Sequence, residues 1–375
     1  MATINYLTRI EFDYETIQLL PNMINELGIK KPLIVTDNYL SNTDLFKNLI
    51  TLLKKNNPVI FSDTPQNPTE EAVEIAVKIY GESGCDGIIA VGGGSSIDLA
   101  KGVALLGTHD GPLVQYALIL GGLSKISSKV APVIAIPTTA GTGSEVGRGA
   151  LITLRDGRKL GFISPFLIPK IALCDPLLTL TLPPRLTAAT GMDALTHCIE
   201  TFLSPRINPP ADAIALDGAQ RAAKWIKIAF QEGQNREARW NMMMASLQGG
   251  LTFQKGLGAV HSMSHPLGGL KNITLHHGTL NALILPAVIS FNRDFCQDKL
   301  RLLEIAMGLP KNTKLEDFII QLNQDLDLPS RLSSIGVTKD VLPQMIEGAI
   351  NDHSTVSNPR PLKKEDFVVL FNQVF

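Results

Sequence analysis

Four short apolar runs constrain this chain most. They are PLIVT at residues 32–36, PVIFS at 58–62, GIIAV at 87–91 and VIAI at 133–136. Each is too short for a helix core and is bounded by glycine, proline or polar residues. Between them, residues 16–28, 44–55, 70–80 and 96–106 carry apolar side chains at helical spacing. Strand, helix, strand, helix predicts a parallel sheet with helices on both faces. After about residue 183 the pattern changes. Residues 188–203, 211–231, 235–252 and 281–291 are rich in Ala, Leu and Met at helical spacing, and SPRINPP at 204–210 breaks the first two apart. The expectation is an α/β domain over residues 1–180 and an all-helical domain over 181–375, joined within DPLLTLTLPP at 175–184. No repeat or low-complexity tract interrupts either half.

A length of 375 residues suits two domains. With 45 % hydrophobic and 18 % charged residues, the chain has material for a large core and too little charge for disorder. Its net charge of -1 leaves no basic excess for a phosphate backbone, so nucleic acid is not an expected partner. Cys85, Cys174, Cys198 and Cys296 are scattered without a CxxC pair, the pattern of reduced thiols in a cytoplasmic protein. Residues 1–10 lack a basic stretch followed by an apolar one, and no apolar run nears the roughly 18–20 residues of a membrane span. Neither a secretory signal nor a membrane partner is expected.

GGGSSIDLAK at residues 92–101 directly follows the run DGIIAV. A glycine-rich turn from a strand into a helix offers backbone N–H groups and the helix dipole to a pyrophosphate. The spacing is neither GxGxxG nor a Walker loop, and glycine-rich turns also serve as plain tight loops. A second polar turn, PTTAGTGSE at 137–145, follows the run VIAI and gathers Thr138, Thr139, Thr142 and Ser144 around two glycines. Two such turns at the C-terminal ends of buried strands fit the place where open α/β sheets bind ligands. The N-terminal domain thus reads as Rossmann-like and dinucleotide-binding. Asp37, ending PLIVTD, is either a ribose acceptor that would repel a 2′-phosphate or a turn residue.

Within GMDALTHCI, Asp193 and His197 stand four apart, on one helix face. Four of the seven histidines, His261, His265, His276 and His277, fall within AVHSMSHPLGGLKNITLHHG. A rare residue concentrated in an apolar, glycine-flanked segment favours a metal site over a solvated face. One carboxylate with three imidazoles suits Fe, Zn, Mn or Co. Four protein ligands would close a tetrahedral zinc site, whereas Fe(II) keeps room for substrate, so iron is the expected metal, with Zn2+ as a competitor.

GGGSSIDLAK, PTTAGTGSEV, the run from Asp175 to His197, and HSMSHPLGG followed by HHGTLNALILP occur in this order. On these motifs the chain resembles the iron-containing (group III) alcohol dehydrogenase family over most of its length. The resemblance implies the dehydroquinate synthase-like architecture: a Rossmann-like domain followed by an all-α domain. It implies Asp193, His197, His261 and His277 as ligands of a divalent metal. It implies an NAD(P) site lined by Asp37, Asn67, Gly93, Gly94, Ser95, Thr138, Thr139, Thr142 and Lys159, to which Asp98 and Ser144 of the same motifs are added. NAD is expected over NADP, on Asp37. A small alcohol or aldehyde is the expected substrate and a cytoplasmic homodimer the expected form.

Two departures stand out. The segment between His265 and Gly278 is about two residues longer than usual and ends in a doublet, so His276 competes with His277 for the ligand role. GRG at 147–149 lies on a segment that faces the substrate in relatives, where Gly149 would widen a pocket. Arg148 beside it is either a surface residue or a clamp for a substrate carboxylate. His265 is the candidate proton relay or, alternatively, a structural histidine. The competing functions are a metal- and NAD-using lyase of the dehydroquinate-synthase type, which would need a basic cluster for a sugar phosphate, and a non-catalytic nucleotide-binding relative.

Overall fold

Eight strands appear in the computed structural model, which describes residue 4 and residues 8–270 and 272–375. They are β1 (Arg9–Phe12), β2 (Pro32–Val35), β3 (Val59–Phe61), β4 (Gly87–Gly92), β5 (Val133–Pro137), β6 (Gly149–Thr153), β7 (Lys159–Ile163) and β8 (Ile171–Cys174). Six form one sheet in the order β1-β8-β5-β4-β2-β3, with every pairing parallel. The four apolar runs of the sequence are β2 to β5.

Their unbroken hydrophobicity has a simple cause: both faces are buried. Leu33, Val35, Ile88, Ala90, Val133 and Ala135 join one core cluster, while Ile34, Ile89, Val91, Ile134 and Ile136 join the other. Alternate residues serve opposite faces, so no polar position is left in the strand. The Glu70–Glu82 and Gly94–Leu106 helices contribute Val73, Ala76, Ile97, Ala100 and Val103 to the first cluster.

The edge strand β1 and the strand β8 beside it escaped the sequence reading, as did the β6–β7 hairpin. β1, RIEF, carries the charged Arg9 and Glu11 and so lacks the unbroken apolar run that marks β2 to β5, whereas β8, IALC, has such a run and is as short as β2. The stretch 16–28 is also not one helix. It opens as a 3-10 turn at Thr16–Leu19, and the α-helix Leu20–Glu26 begins with Pro21 in its first turn, where proline's missing N–H costs nothing.

Beyond residue 183 come the helices Pro184–Leu203, Pro209–Gln231, Arg236–Leu251, Ala259–Gly268, His277–Asn292, Gln297–Ala306, Leu315–Asp325, Leu342–Ile350 and Lys364–Val374. The first is buried at every position from Thr187 to Leu203, so it is the centre around which the others pack. The chain divides into two compact units. One runs up to Thr139 and includes Ser144–Thr179; the other takes Leu180–Phe375 together with Ala140–Gly143. Among the described residues, no helix is long and apolar enough to cross a membrane, and all four cysteines are buried and unpaired. Residues 1–3 and 5–7, on which the absence of a leader was read, and Lys271, in the lengthened segment, lie outside the described residues.

Candidate metal centre

The Pro184–Leu203 helix carries Asp193, His197 and Glu200, spaced by four and three, on one face. His261 and His265 stand four apart on the Ala259–Gly268 helix, and His277 opens the next helix with Asn281 one turn later. Gly278 explains how His277 reaches the group. A Cβ there would run into the carbonyl oxygen of Ala189, so only glycine lets these two helices approach so closely.

From Oδ1 of Asp193, the Nε2 atoms of His197, His261 and His277 lie 3.7, 3.9 and 3.6 Å away. All four ligand atoms fall within 4.8 Å of one another. Donors arranged tetrahedrally at metal bonds of about 2.0–2.2 Å would stand about 3.4 Å apart, so this cage needs little contraction to hold an ion.

The protons are arranged for the same purpose. Nδ1 of His197 donates to the carbonyl of Gly141 at 3.2 Å, and Nδ1 of His261 donates to Oε2 of Glu200 at 2.6 Å. A carbonyl or carboxylate only accepts, so both imidazoles carry a proton on Nδ1 and turn Nε2 to the cage. Burial pushes the His197 imidazole down to about 4, which keeps it neutral and able to ligate. Nδ2 of Asn281 faces the same acceptors, at 2.7 Å from Asp193 Oδ1 and 3.2 and 3.1 Å from Nε2 of His261 and His277. Its Oδ1 is buried without a hydrogen-bond partner, one more electron-pair donor beside the cage. Three imidazole Nε2 atoms and a carboxylate converging on one point fit a divalent cation. His276 is the N-cap residue of the His277–Asn292 helix and stands outside the cluster.

A second cluster adjoins the first. His265, Asp352 and His353 bring their polar atoms within 4.8 Å of one another. Nδ1 of His265 donates to Asp352 at 2.8 Å, while its Nε2 is buried and without a partner. The His265 ring lies nearly parallel to that of His277, at 5.6 Å between centroids, and to that of His353 at 5.5 Å. Burial would raise the Asp352 pKa, but the facing His265 and His353 outweigh it and hold the carboxyl well below its ordinary value.

In the α/β unit, β2 leads to β3 at one edge, while β4 leads the other way to β5. Such a reversal is where nucleotides bind, beyond the C-terminal strand ends. Asp37 follows β2 and caps a short helix by accepting from Leu40 N at 2.8 Å. Gly92 ends β4 at φ 149, a conformation glycine tolerates, and a side chain there would strike Ser96. Gly93 caps the Gly94–Leu106 helix and faces Thr139, and Thr138 N donates to Gly92 O at 3.0 Å. The two polar turns therefore meet side by side. Ser95 bonds the Gln66 carbonyl, and Lys159 donates to Asn67 Oδ1 at 3.0 Å.

Asp98 and Ser144 are engaged within the fold. Ser144 Oγ donates to Asp98 at 2.5 Å, and the other Asp98 oxygen accepts from Leu151 N at 2.9 Å. The buried Lys101 ammonium donates to the carbonyls of Ser144, Gly147 and Gly149, at 2.7, 2.9 and 2.7 Å. The GRG segment is thus tied down from its backbone, with Arg148 exposed. Thr142 belongs to the helical unit.

Glu200, Asn281, Asp352 and His353 were not picked out from the sequence. Glu200 and Asn281 sit three and four residues after His197 and His277, a helical spacing that could have found them. Asp352 has no such local signal.

Two family models match, the iron-containing alcohol dehydrogenase model over residues 8–176 and the C-terminal model of the same family over residues 187–375. The chain belongs to the iron-containing alcohol dehydrogenase family. It is 51 % identical to 4-hydroxybutyrate dehydrogenase of Cupriavidus necator, with 100 % of both chains covered. It is 36 % identical to 1,3-propanediol dehydrogenase of Klebsiella pneumoniae, covering 93 % of this chain and 92 % of that one. A crystal structure of 1,3-propanediol oxidoreductase superposes with a TM-score of 0.92 at 33 % identity, covering 100 % of each chain. Sulfoacetaldehyde reductase from Bifidobacterium kashiwanohense, solved with NAD+, superposes at 0.90 with 27 % identity, covering 100 % of this chain and 98 % of that one. Like its relatives in the iron-containing alcohol dehydrogenase family, this protein is an oxidoreductase acting on CH–OH groups, with the fold expected of the family.

Proposed function

We propose that the protein interconverts an ω-hydroxy acid and its semialdehyde, with NAD as the hydride carrier and Fe2+ as the working metal. The observation that carries the reaction class is the convergence of three Nε2 atoms on Asp193. The 51 % identity to a 4-hydroxybutyrate dehydrogenase supports the substrate class. Asp193, His197, His261 and His277 are the residues that would hold the metal, and Zn2+ would compete for the same donors. A divalent ion bound there supplies Lewis-acid polarisation of the substrate oxygen, and the nicotinamide supplies the hydride acceptor at C4.

The chain's own residues do the rest. Asp352 holds the proton of His265 on Nδ1, leaving Nε2 to take the hydroxyl proton as the carbon gives up its hydride. Proton and hydride together account for the two hydrogens lost when CH–OH becomes C=O. Glycines 92–94 and the following helix N-terminus cradle the pyrophosphate, with Thr138 and Thr139 beside them. Asn67 and Lys159 act as a pair. Asp98 and Ser144 keep the second turn in shape. The free oxygen of Asp37 takes the adenosine ribose and disfavours a 2′-phosphate. A cytoplasmic homodimer, the family's usual form, completes the reading.

The test is a comparison of kcat/KM for 4-hydroxybutyrate, 1,3-propanediol and 1-butanol with NAD. The reading expects the hydroxy acid to lead by at least about tenfold, as one added ionic contact would give. Equal values for acid and diol would remove the substrate class and leave the reaction class standing.

A further inference from the structure

We infer that Glu200 is a positioning residue that decides which nitrogen of His261 carries the proton, and thereby whether His261 can ligate. The inference rests on the reading of Asp193, His197, His261 and His277 as metal ligands.

Glu200 is buried and acts as a three-way acceptor. Its Oε2 accepts from His261 Nδ1 at 2.6 Å and from Gly258 N at 3.0 Å, while Oε1 accepts from Val260 N at 2.7 Å. Gly258 and Val260 lie at the start of the Ala259–Gly268 helix, whose first N–H groups have no partner within the helix. One carboxylate thus caps that helix and fixes the ring of its first-turn histidine. The close fit is visible at Gly258, where a Cβ would stand 2.8 Å from Glu200 Oε1.

Both Glu200 oxygens already accept from backbone N–H groups, so Oε2 faces His261 as an acceptor and the proton of that bond sits on Nδ1. Nε2 then keeps its lone pair for the cage. The negative charge also raises the basicity of the ring as a ligand. Glu200 and the ligands Asp193 and His197 share one helix face, so a single rigid helix sets two ligands and the proton state of a third.

Replacing Glu200 by Gln separates this from simple capping. The shape stays, but in either orientation the amide NH2 meets a backbone N–H, of Gly258 or of Val260, and the anionic acceptor that holds the proton on His261 Nδ1 is lost. The comparator is Asn358→Ala. Asn358 Oδ1 accepts from Ala259 N at 3.1 Å, so it caps the same helix without touching His261.

Zn2+ affinity of the full-length apoprotein, measured by competition with a chromophoric chelator, reads the effect. Glu200→Gln is expected to weaken Zn2+ binding about 10- to 100-fold, and Asn358→Ala to change it by less than about twofold. Nitrogen-15 NMR of the wild-type apoprotein gives a second readout that needs no variant at Glu200. His261, assigned with His261→Gln, is expected as the Nδ1–H tautomer. Unchanged affinity in a folded Glu200→Gln protein, or an Nε2–H tautomer in the wild type, overturns the inference. The control is His261→Ala: if it too binds Zn2+ like the wild type, the metal reading itself has failed, whereas loss there with none in Glu200→Gln removes Glu200 alone.

Discussion

Nδ1 of His265 and Oδ2 of Asp352, 87 residues apart in the chain, stand 2.8 Å from each other, with His265 buried and Asp352 half-buried. The His265 ring is in turn stacked beside His277. Asp352 therefore bears on the candidate site through one imidazole. Asp352→Asn would keep the shape but present an amide that can push the His265 proton onto Nε2. The expected result is a fall in kcat of about 10²- to 10⁴-fold, with KM for NAD little changed. His265→Ala should cost a similar factor, and the double variant hardly more than either, because the two act as one unit. Steady-state kinetics on the three proteins check this, and additive losses would show that the residues act separately.

On the proposed reading Asp37 has two tasks that one substitution can separate. Its carboxylate caps a short helix through Leu40 N and carries the charge that would exclude NADP. Asp37→Ser keeps a capping oxygen, so the thermal midpoint should hold, whereas an uncapped Ala would cost about 1 kcal/mol. Discrimination between NAD and NADP should fall by about tenfold or more, as loss of one charge repulsion implies. Unchanged discrimination would place the selectivity elsewhere.

Glycine at position 278 is a packing requirement. Gly278→Ala would press a methyl group on the Ala189 carbonyl and move the helix that begins with His277. Overpacking of this kind costs about 1–3 kcal/mol, occasionally more. Zn2+ affinity should fall together with the thermal midpoint, since His277 rides on the displaced turn. Calorimetry on the apoprotein and a Zn2+ titration read the two effects.

The α/β unit holds a pH-sensitive pair. Burial pushes the Glu145 carboxyl up to about 7, against the pull of Lys101, whose ammonium burial brings down to about 8. The folded state keeps a Glu145 proton that the unfolded chain releases near pH 4.5. Its contribution is thus fully present below that pH and is lost as pH rises through about 7. Lys101 acts only above about pH 8, in the opposite direction, because there the unfolded chain holds the extra proton. Glu145→Gln should remove up to about 3 kcal/mol of the decline between pH 5 and 7, seen as a flatter thermal midpoint across that range.

Local chemistry was legible in the sequence, and convergence was much less so. β2 to β5 announce themselves because strands buried on both faces are apolar throughout. The Asp193–His197 and His261–His265 pairs announce themselves through a helical period. Asp352 could not, since nothing near it reports that the Leu342–Ile350 helix ends beside His265. The β6–β7 hairpin carried a readable signal, Asp156-Gly157 between alternating residues, with Gly157 at φ 90. Asp98 and Ser144, grouped with the nucleotide from their motifs, bond to each other, which a motif's spacing does not reveal.

The most direct test of the account is reconstitution. The protein is stripped of metal, reloaded anaerobically with Fe2+, and followed for NADH formation from 4-hydroxybutyrate, in parallel with His277→Ala. The account predicts no turnover in the stripped enzyme, recovery on adding Fe2+, and no recovery in the variant. Turnover by the stripped enzyme, or full recovery in His277→Ala, would contradict it.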